Sequence, residues 1–460
     1  MPRSAIRFLR APFLSIAVMT VAALTVPAVT AQASPSSAFW VTPAGARDCP
    51  SSGYTTIQAA VSAAESYEGA HRYGAVPVVD ICPGTYSEQV TVTKSLVLTR
   101  APVRPGLGPV TIELPAGVGT SQASGLSATT CQLKDSGDGV QVPQSVIEVC
   151  AADASGGNTT GTTVTASDLT VEGDWPGSVC YDSLYDVLVE GGATLDLSGS
   201  TVEKAGAVSP LSGCQGGIGV QAGNSTTGQV GHVNLSDDTV KSYQKGGISI
   251  KGSGSTGNID RSQIIGAGPT AATAQNGIEY VYGATGSVTN SYVSGNNYTG
   301  QGGASAAGIL TFGGCGSATV NNTRFTGDRL VGNDMGIALA NYDSACAKSA
   351  PTRTGDVACY NVIQNSNGYP GGKASADANV TGLSQSPAVG YQAGVADTGN
   401  RDVICDNAVS GPGYAPLGST SSLPKGTPPA FVRPVDIVSG PAISPQVYGN
   451  TFDGRPYRPA

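Results

Sequence analysis

One dipeptide recurs through the middle of the chain with the regularity of a winding. It stands at Gly217-Ile218, Gly247-Ile248, Gly277-Ile278, Gly308-Ile309 and Gly336-Ile337, at steps of 30, 30, 31 and 28 residues. A fixed period of this size means a supersecondary unit stacked on copies of itself, because one unit cannot bury its own apolar face. A second pattern shares the period. Apolar residues fall five apart at Val164…Leu169, Leu197…Val202, Leu235…Val240, Ile259…Ile264, Val288…Val293, Val320…Phe325, Val357…Val362, Val403…Ala408 and Val447…Phe452. Side chains on a flat strand alternate with period two, so residues five apart both face inward only if the chain bends between them. Leucine-rich repeats have a shorter period, propeller blades a longer one, and an antiparallel sandwich gives no reason for either recurrence. The expected fold class is all-β: a single-stranded right-handed parallel β-helix, each coil made of one Gly-Ile strand and one cornered pair.

The ends of the winding read differently. Thr55-Thr56-Ile57-Gln58 has the form of a capping box with Thr55 as N-cap. Ile57, Ala60, Val61 and Ala64 then follow at the spacing of one helical stripe. A short helix ahead of the first strands (Val76 to Cys82, Gln89 to Val92, Leu96 to Leu98) is suited to plug the open end of the stack. Residues 34–100 are read as this cap and first coil, and 101–410 as the β-helix. Residues 411–460 are read as a proline-rich tail in which Val447 to Asp453 recovers the corner phrase as a final strand.

Residues 1–33 have the form of a secretory signal peptide. Arg3, Arg7 and Arg10 precede an apolar run from Phe13 to Val29, and Ala31-Gln32-Ala33 is a small-residue cleavage signal. The run is interrupted by Pro27 and is too short to anchor the chain, so an extracellular or cell-surface location without stable membrane insertion is expected. Loss of the three arginines takes the formal net charge from −8 to −11. An acidic surface excludes nucleic acid as a natural partner. It also opposes polyanions unless a cation bridges. Ten cysteines in an exported chain indicate disulfides rather than a metal centre, with no C-x-x-C and only His71 and His232 to add imidazole. Cys359 and Cys405 fall in one column of successive corner phrases, where stacked strands about 4.8 Å apart suit a disulfide. Cys49–Cys82 and Cys180–Cys214 are separated by about one coil. Cys131–Cys150 closes a local loop, and Cys315–Cys346 remains by elimination. Asn290 and Asn322 share the corner column with Arg261 and Asp237, which suggests a stacked asparagine ladder.

The capped opening, with Pro83-Gly84-Thr85-Tyr86-Ser87-Glu88 and Val90, resembles that of pectin methylesterases and their relatives. The repeats from there to about Ser410 resemble right-handed β-helix proteins of the pectin-lyase-like superfamily. The resemblance implies an extracellular polysaccharide or cell-surface glycan as partner and a monomeric scaffold. It implies no single activity. The methylesterase Gln-Asp and Asp-Phe-Ile segments do not follow, and Gly454-Arg455-Pro456-Tyr457 echoes a family motif only at the last residues. Asp237-Asp238 and Gly247 to Gly252 resemble part of a polygalacturonase site, but Lys245-Gly246-Gly247 stands where that family has a histidine. For a lyase or hydrolase the candidate catalytic set is Asp237, Asp238, Asp260, Lys251 and Arg261, with no resident cofactor, or with calcium if a lyase. The candidate sugar-stacking residues are Tyr280, Tyr282, Tyr292 and Tyr298; Tyr181-Asp182 and Tyr185-Asp186 form a similar group. The reading is a secreted β-helix protein that binds or acts on polysaccharide. The alternative is a non-catalytic surface or adhesive stack.

Overall fold

The computed structural model describes residues 38–43, 49–70, 76–104, 106–115, 131, 144–153, 155–174, 184–206, 210–298, 306–313, 324–340, 355–366, 390–415, 430–437 and 444–459. They form a right-handed parallel β-helix of three sheets, with 10 strands in one and 12 in each of the others. Sheet I holds the glycine-led strands, such as Gly246–Lys251 and Asn276–Val281. Sheets II and III hold the strands before and after the corner, such as Gly231–Ser236 and Thr239–Lys241. Each strand pairs in parallel with its counterpart one coil away, as Ile248 pairs with Ile278 and Leu235 with Ile259. One continuous apolar core fills the interior.

The corner between sheets II and III rests on one left-handed residue per coil. Asp168, Asp237, Arg261, Asn290, Tyr360 and Asp406 all have positive φ, as do Gly199, Gly327 and Gly449 in the same column. The residue after it carries the ladder. Ser200, Asp238, Ser262, Ser291, Asp328, Asn361, Asn407 and Asn450 are buried, and each side chain accepts the backbone N–H of its counterpart one coil earlier. The ladder therefore lies one residue beyond Asn290 and Arg261; Asn322 falls outside the described residues. A second ladder runs at the turn from sheet III to sheet I. There Asn296 donates to Asn333 Oδ1 at 3.0 Å and Asn365 donates to the Asn333 carbonyl at 3.2 Å.

The glycine column has a steric cause. A Cβ on Gly247 would lie 2.5 Å from the Gly277 carbonyl oxygen and 2.7 Å from Ile264 Cγ2, and the same holds from coil to coil through Gly308, Gly336 and Gly394. The chain kinks inward there, so only glycine fits. Register corrects the first rung. Val220, not Ile218, pairs with Ile248, so the column begins at Gly219 and ends at Pro434, which follows Gly394. Several corner phrases also shift. The inward pairs are Ala166…Val171, Phe325…Leu330, Ala358…Ile363 and Ile404…Val409, as their pairing with neighbouring coils requires.

The helix Ile57–Ala70 buries Ile57, Ala60, Val61 and Ala64. Its N-terminus is capped differently from the sequence reading. Thr56 Oγ1 accepts the Ala59 amide at 3.2 Å, and the Glu88 carboxylate accepts the Ile57 and Gln58 amides at 2.8 and 2.9 Å. Gln58 is thereby free to seal the edge of the terminal strand Val90–Val92, accepting the Thr91 amide at 2.7 Å and donating to its carbonyl at 3.2 Å. Removing the bridging carboxylate by Glu88→Ala is expected to cost about 1–2 kcal/mol. A urea midpoint equal to wild type would contradict this role.

Residues 430–437 and 444–456 complete a final coil, so the tail returns to the stack in all three sheets. Sheet III closes there in an antiparallel pair, Thr451–Phe452 with Arg455–Pro456. Among the described residues, disulfides join Cys49–Cys82, Cys131–Cys150 and Cys359–Cys405, the last across paired residues with Cα atoms 4.5 Å apart. Cys180, Cys315 and Cys346, and the signal-like segment, fall outside the described residues. No helix among the described residues is long and apolar enough to cross a membrane.

Candidate functional site

The five residues singled out for catalysis occupy three separate environments. Asp237 and Arg261 stack at the outer corner, where the guanidinium donates to Asp237 Oδ1 and Oδ2 at 3.0 and 2.8 Å and also touches Asp260. The hydrogen bonds from Arg261 hold the Asp237 carboxyl below its ordinary pKa. Asp260 also accepts Thr289 Oγ1 at 2.8 Å and Asn290 Nδ2 at 3.2 Å. Asp238 is buried in the ladder, accepting the Ser200 and Ser236 amides at 2.7 and 3.0 Å. Burial pushes its pKa up to about 7, but both oxygens are committed to backbone. Both Asp237 oxygens face Arg261, so these carboxylates leave no set of oxygens for calcium and no acid–base pair. Lys251 lies apart, at the end of its strand in sheet I.

The four tyrosines are likewise dispersed. Tyr280 is not available to a ligand, because it fills the core and donates to the Gly257 carbonyl at 2.7 Å. Tyr298 is buried against Ala274 and Ala306, while Tyr292 lies on the outer face of sheet III under the Arg329 guanidinium, 6.0 Å from the ring centre. Tyr185 is buried with Leu188 and Ile218. Tyr181 and Asp182 fall outside the described residues. Of the four candidates, Tyr282 alone combines exposure (45%) with a left-handed backbone, φ 56°, its ring set edge-on to Phe312 at 6.1 Å.

A polar constellation that the sequence reading missed lies on the outer face of sheet I. Beyond the glycine kink the residues after each inward Val or Ile point away from the core: Leu188, Gln221, Ser249, Glu279, Leu310 and Ala338 in successive coils, of which only Glu279 and Leu310 are partly exposed and the rest are buried. Both ends of this row are apolar. Tyr185, Leu188 and Ile218 cluster at one end, and Leu310 packs with Ala307, Met335 and Ala338 at the other. The middle is hydrogen-bonded. Glu279 is fixed by Ser249 Oγ at 3.1 Å and by Asn276 Nδ2 at 2.5 Å, one on each carboxylate oxygen. Lys245 enters the same face from the preceding turn and donates to the Ala274 carbonyl at 2.6 Å. Burial lowers the pKa of its ammonium; Glu279 opposes the shift and Lys251 adds to it. The legible signal was the residue after each Gly-Ile, which reads Ser249 and then Glu279.

Lys251 leads into a cleft of about 520 Å³ at the turn from sheet I to sheet II. Asn224, Thr226, Gln229, Gly252 and Ser253 line it, with Tyr282 at its side. Amide and hydroxyl groups beside one exposed aromatic ring suit a hydroxyl-rich ligand. A lysine of lowered pKa in the adjoining face can serve as a base, or as a donor to an anionic group. Cys131, Glu148 and Cys150 also lie together, but both sulfurs are in the disulfide and cannot act as thiolate ligands.

No family model matches the chain, and no curated protein matches it. Solved structures similar to it include the Dettilon tailspike protein gp208, with 12% identity and a TM-score of 0.48 over 90% of this chain and 62% of that one. The pectate lyase Pel9A shares 13% identity at a TM-score of 0.38, over 70% and 75% of the two chains. The DFA-IIIase from Arthrobacter chlorophenolicus A6 shares 11% identity at a TM-score of 0.39, over 92% and 94%. The present chain thus spans less than two thirds of the tailspike, and none of these likenesses assigns it an activity.

Proposed function

We propose that this is a secreted β-helix protein that takes an extracellular polysaccharide beside the partly exposed Lys245 and Glu279 of sheet I and in the cleft beyond Lys251, and cleaves it there by β-elimination. The observation that carries this reading is Lys245, a partly buried lysine of lowered pKa, beside a carboxylate fixed by two hydrogen bonds. In this reading the neutral Lys245 amine removes a proton from a sugar carbon next to a uronate carboxylate. Lys251 faces that carboxylate; a double bond forms in the ring as the C–O bond breaks, and the leaving glycosidic oxygen takes a proton from water. Tyr282 and the cleft hold the neighbouring sugars. The three disulfides are compatible with the oxidising exterior that the signal-like segment implies.

A second reading, binding without turnover, is favoured by the hydrogen bond that commits Lys245 Nζ to the Ala274 carbonyl. One experiment separates them. A panel of uronate-containing polysaccharides, with and without calcium, is assayed for unsaturated ends and for retention. The elimination reading expects turnover that rises with pH through a value below that of an ordinary lysine, and a loss of about 100-fold or more in Lys245→Met. Retention without turnover, weakened by Tyr282→Ala, supports binding alone. Neither turnover nor retention on any polymer overturns both readings.

A further inference from the structure

We propose that the corner between sheets II and III carries a second, separate glycan site, a diagonal strip of tyrosines that binds an extended neutral polysaccharide lying along the stack. Its centre is Tyr360. This residue occupies the left-handed corner position, φ 63°, which the other coils fill with glycine, aspartate, asparagine or the ion-paired Arg261. A bulky aromatic there is strained. Among the described residues no close packing offsets the strain, since Tyr360 is 63% exposed. A strained residue that contributes no packing is a sign of a surface role.

Tyr360 does not stand alone. Tyr448 is 54% exposed and lies two coils further on, and Tyr292 lies two coils before, on the outer face of sheet III. Coils repeat about every 4.8 Å, so the three rings recur at roughly 10 Å intervals along the axis. That interval is comparable to two sugar units of an extended chain, so each ring would meet every second residue of one strand of polymer. Between Tyr360 and Tyr448 the backbone is held rigid. The Cys359–Cys405 disulfide ties the coil of Tyr360 to the next one, Tyr360 N–H donates to the Cys405 carbonyl at 3.0 Å, and Asp406 N–H in that intervening coil donates to the Tyr448 carbonyl at 3.1 Å. Rings fixed before binding lose little freedom on contact with a ligand. The charges beside the strip are mixed, with the Arg329 guanidinium over Tyr292 and Asp406 in the coil after Tyr360. A guanidinium and a carboxylate can both hydrogen-bond hydroxyls, and together they favour neither a polyanion nor a polycation.

The test uses the full chain in affinity electrophoresis through soluble neutral β-glucan and in pull-down on insoluble cellulose and chitin. Wild type is expected to be retained by at least one of the three. Tyr360→Gly and Tyr448→Ser are each expected to weaken that retention about tenfold. Because glycine relieves the left-handed strain, Tyr360→Gly is also expected to leave the melting temperature unchanged or higher. Lys245→Met, in the site on sheet I, is expected to leave this retention intact, which keeps the two sites distinguishable. The proposal is overturned if no neutral polymer retains wild type or if the tyrosine variants are retained as well as wild type. A lower melting temperature for Tyr360→Gly would also overturn it, since the tyrosine would then be structural.

Discussion

Asp328→Asn is expected to stabilise the protein at pH 8, and to do so by a clearly smaller amount at pH 5. Asp328 stands in the corner ladder, where Oδ1 accepts the Ser291 amide at 2.8 Å. In the three coils beyond it the ladder residue is asparagine. Each of these donates its amide to the previous coil's carbonyl, as Asn361 does to Phe325 at 3.1 Å, Asn407 to Ala358 at 2.8 Å and Asn450 to Ile404 at 2.9 Å. Asp328 Oδ2 is buried in the corresponding place without an aligned hydrogen bond. Burial pushes its pKa up to about 7, with the Asp260 charge adding to the shift and the Ser291 and Thr326 amides only partly opposing it. The sign follows from proton counting. Between the ordinary carboxyl value near 3.8 and about 7, the folded state keeps a proton that the unfolded chain has released. Stability therefore falls as pH rises through that window and is flat above it. The full effect of one such group is at most about 4 kcal/mol, from a shift of about three units. An asparagine supplies the missing donor toward Val288, which pairs with Phe325, at every pH. Urea unfolding of both proteins from pH 5 to 8 should show the variant's profile as the flatter one. Parallel profiles would show that Asp328 is not the titrating group.

The second large effect is expected at the glycine column. In Gly277→Ala the new Cβ would stand 2.5 Å from the Gly308 carbonyl oxygen, 2.7 Å from Val293 Cγ1 and 3.0 Å from Asn296 Nδ2. The nearest obstacle is backbone of the adjacent coil, so a rotamer change cannot relieve it. A cost of about 3 kcal/mol is expected, at the upper end for one added methyl in a packed interior. Because each coil rests only on its neighbours, the disturbance should be local, and limited proteolysis should open the stack near this coil first. Gly108→Ala serves as the control, since a Cβ there meets nothing within 4 Å. A Gly277→Ala variant as stable as that control would mean that the column marks the repeat without constraining it.

The winding was legible because its two causes leave sequence marks. A kink too crowded for any Cβ demands glycine, and a core demands apolar residues at fixed intervals around the bend. The register was less legible. Ala358 faces the core while Val357 and Val362 on either side face out, with Val362 exposed, so apolarity alone places that phrase one residue early. Gly217-Ile218 imitates a rung, but the kink is at Gly219. The site was the least legible part. Asp237, Asp238 and Asp260 are close in sequence and look like a carboxylate cluster, yet the bend turns Asp238 inward and leaves the others to Arg261. Lys245 and Glu279 are far apart in the chain and meet only because one coil lies on the next. A parity count along the strand does not find them, since the kink resets which residues face out.

The end of the glycine column also has a bearing on the association of separate molecules. A stack of parallel coils is a template, and each exposed last strand invites another with the same pattern. Here the last strand of sheet I places Pro434 where the preceding coils have glycine, and proline carries no N–H to offer a strand laid on it. Sheet III turns back on itself in the same coil, with Pro456 opposite Thr451. With Gln58 occupying the edge at the other end of sheet I, both edges of that sheet offer fewer free backbone groups to a strand laid on them from another molecule.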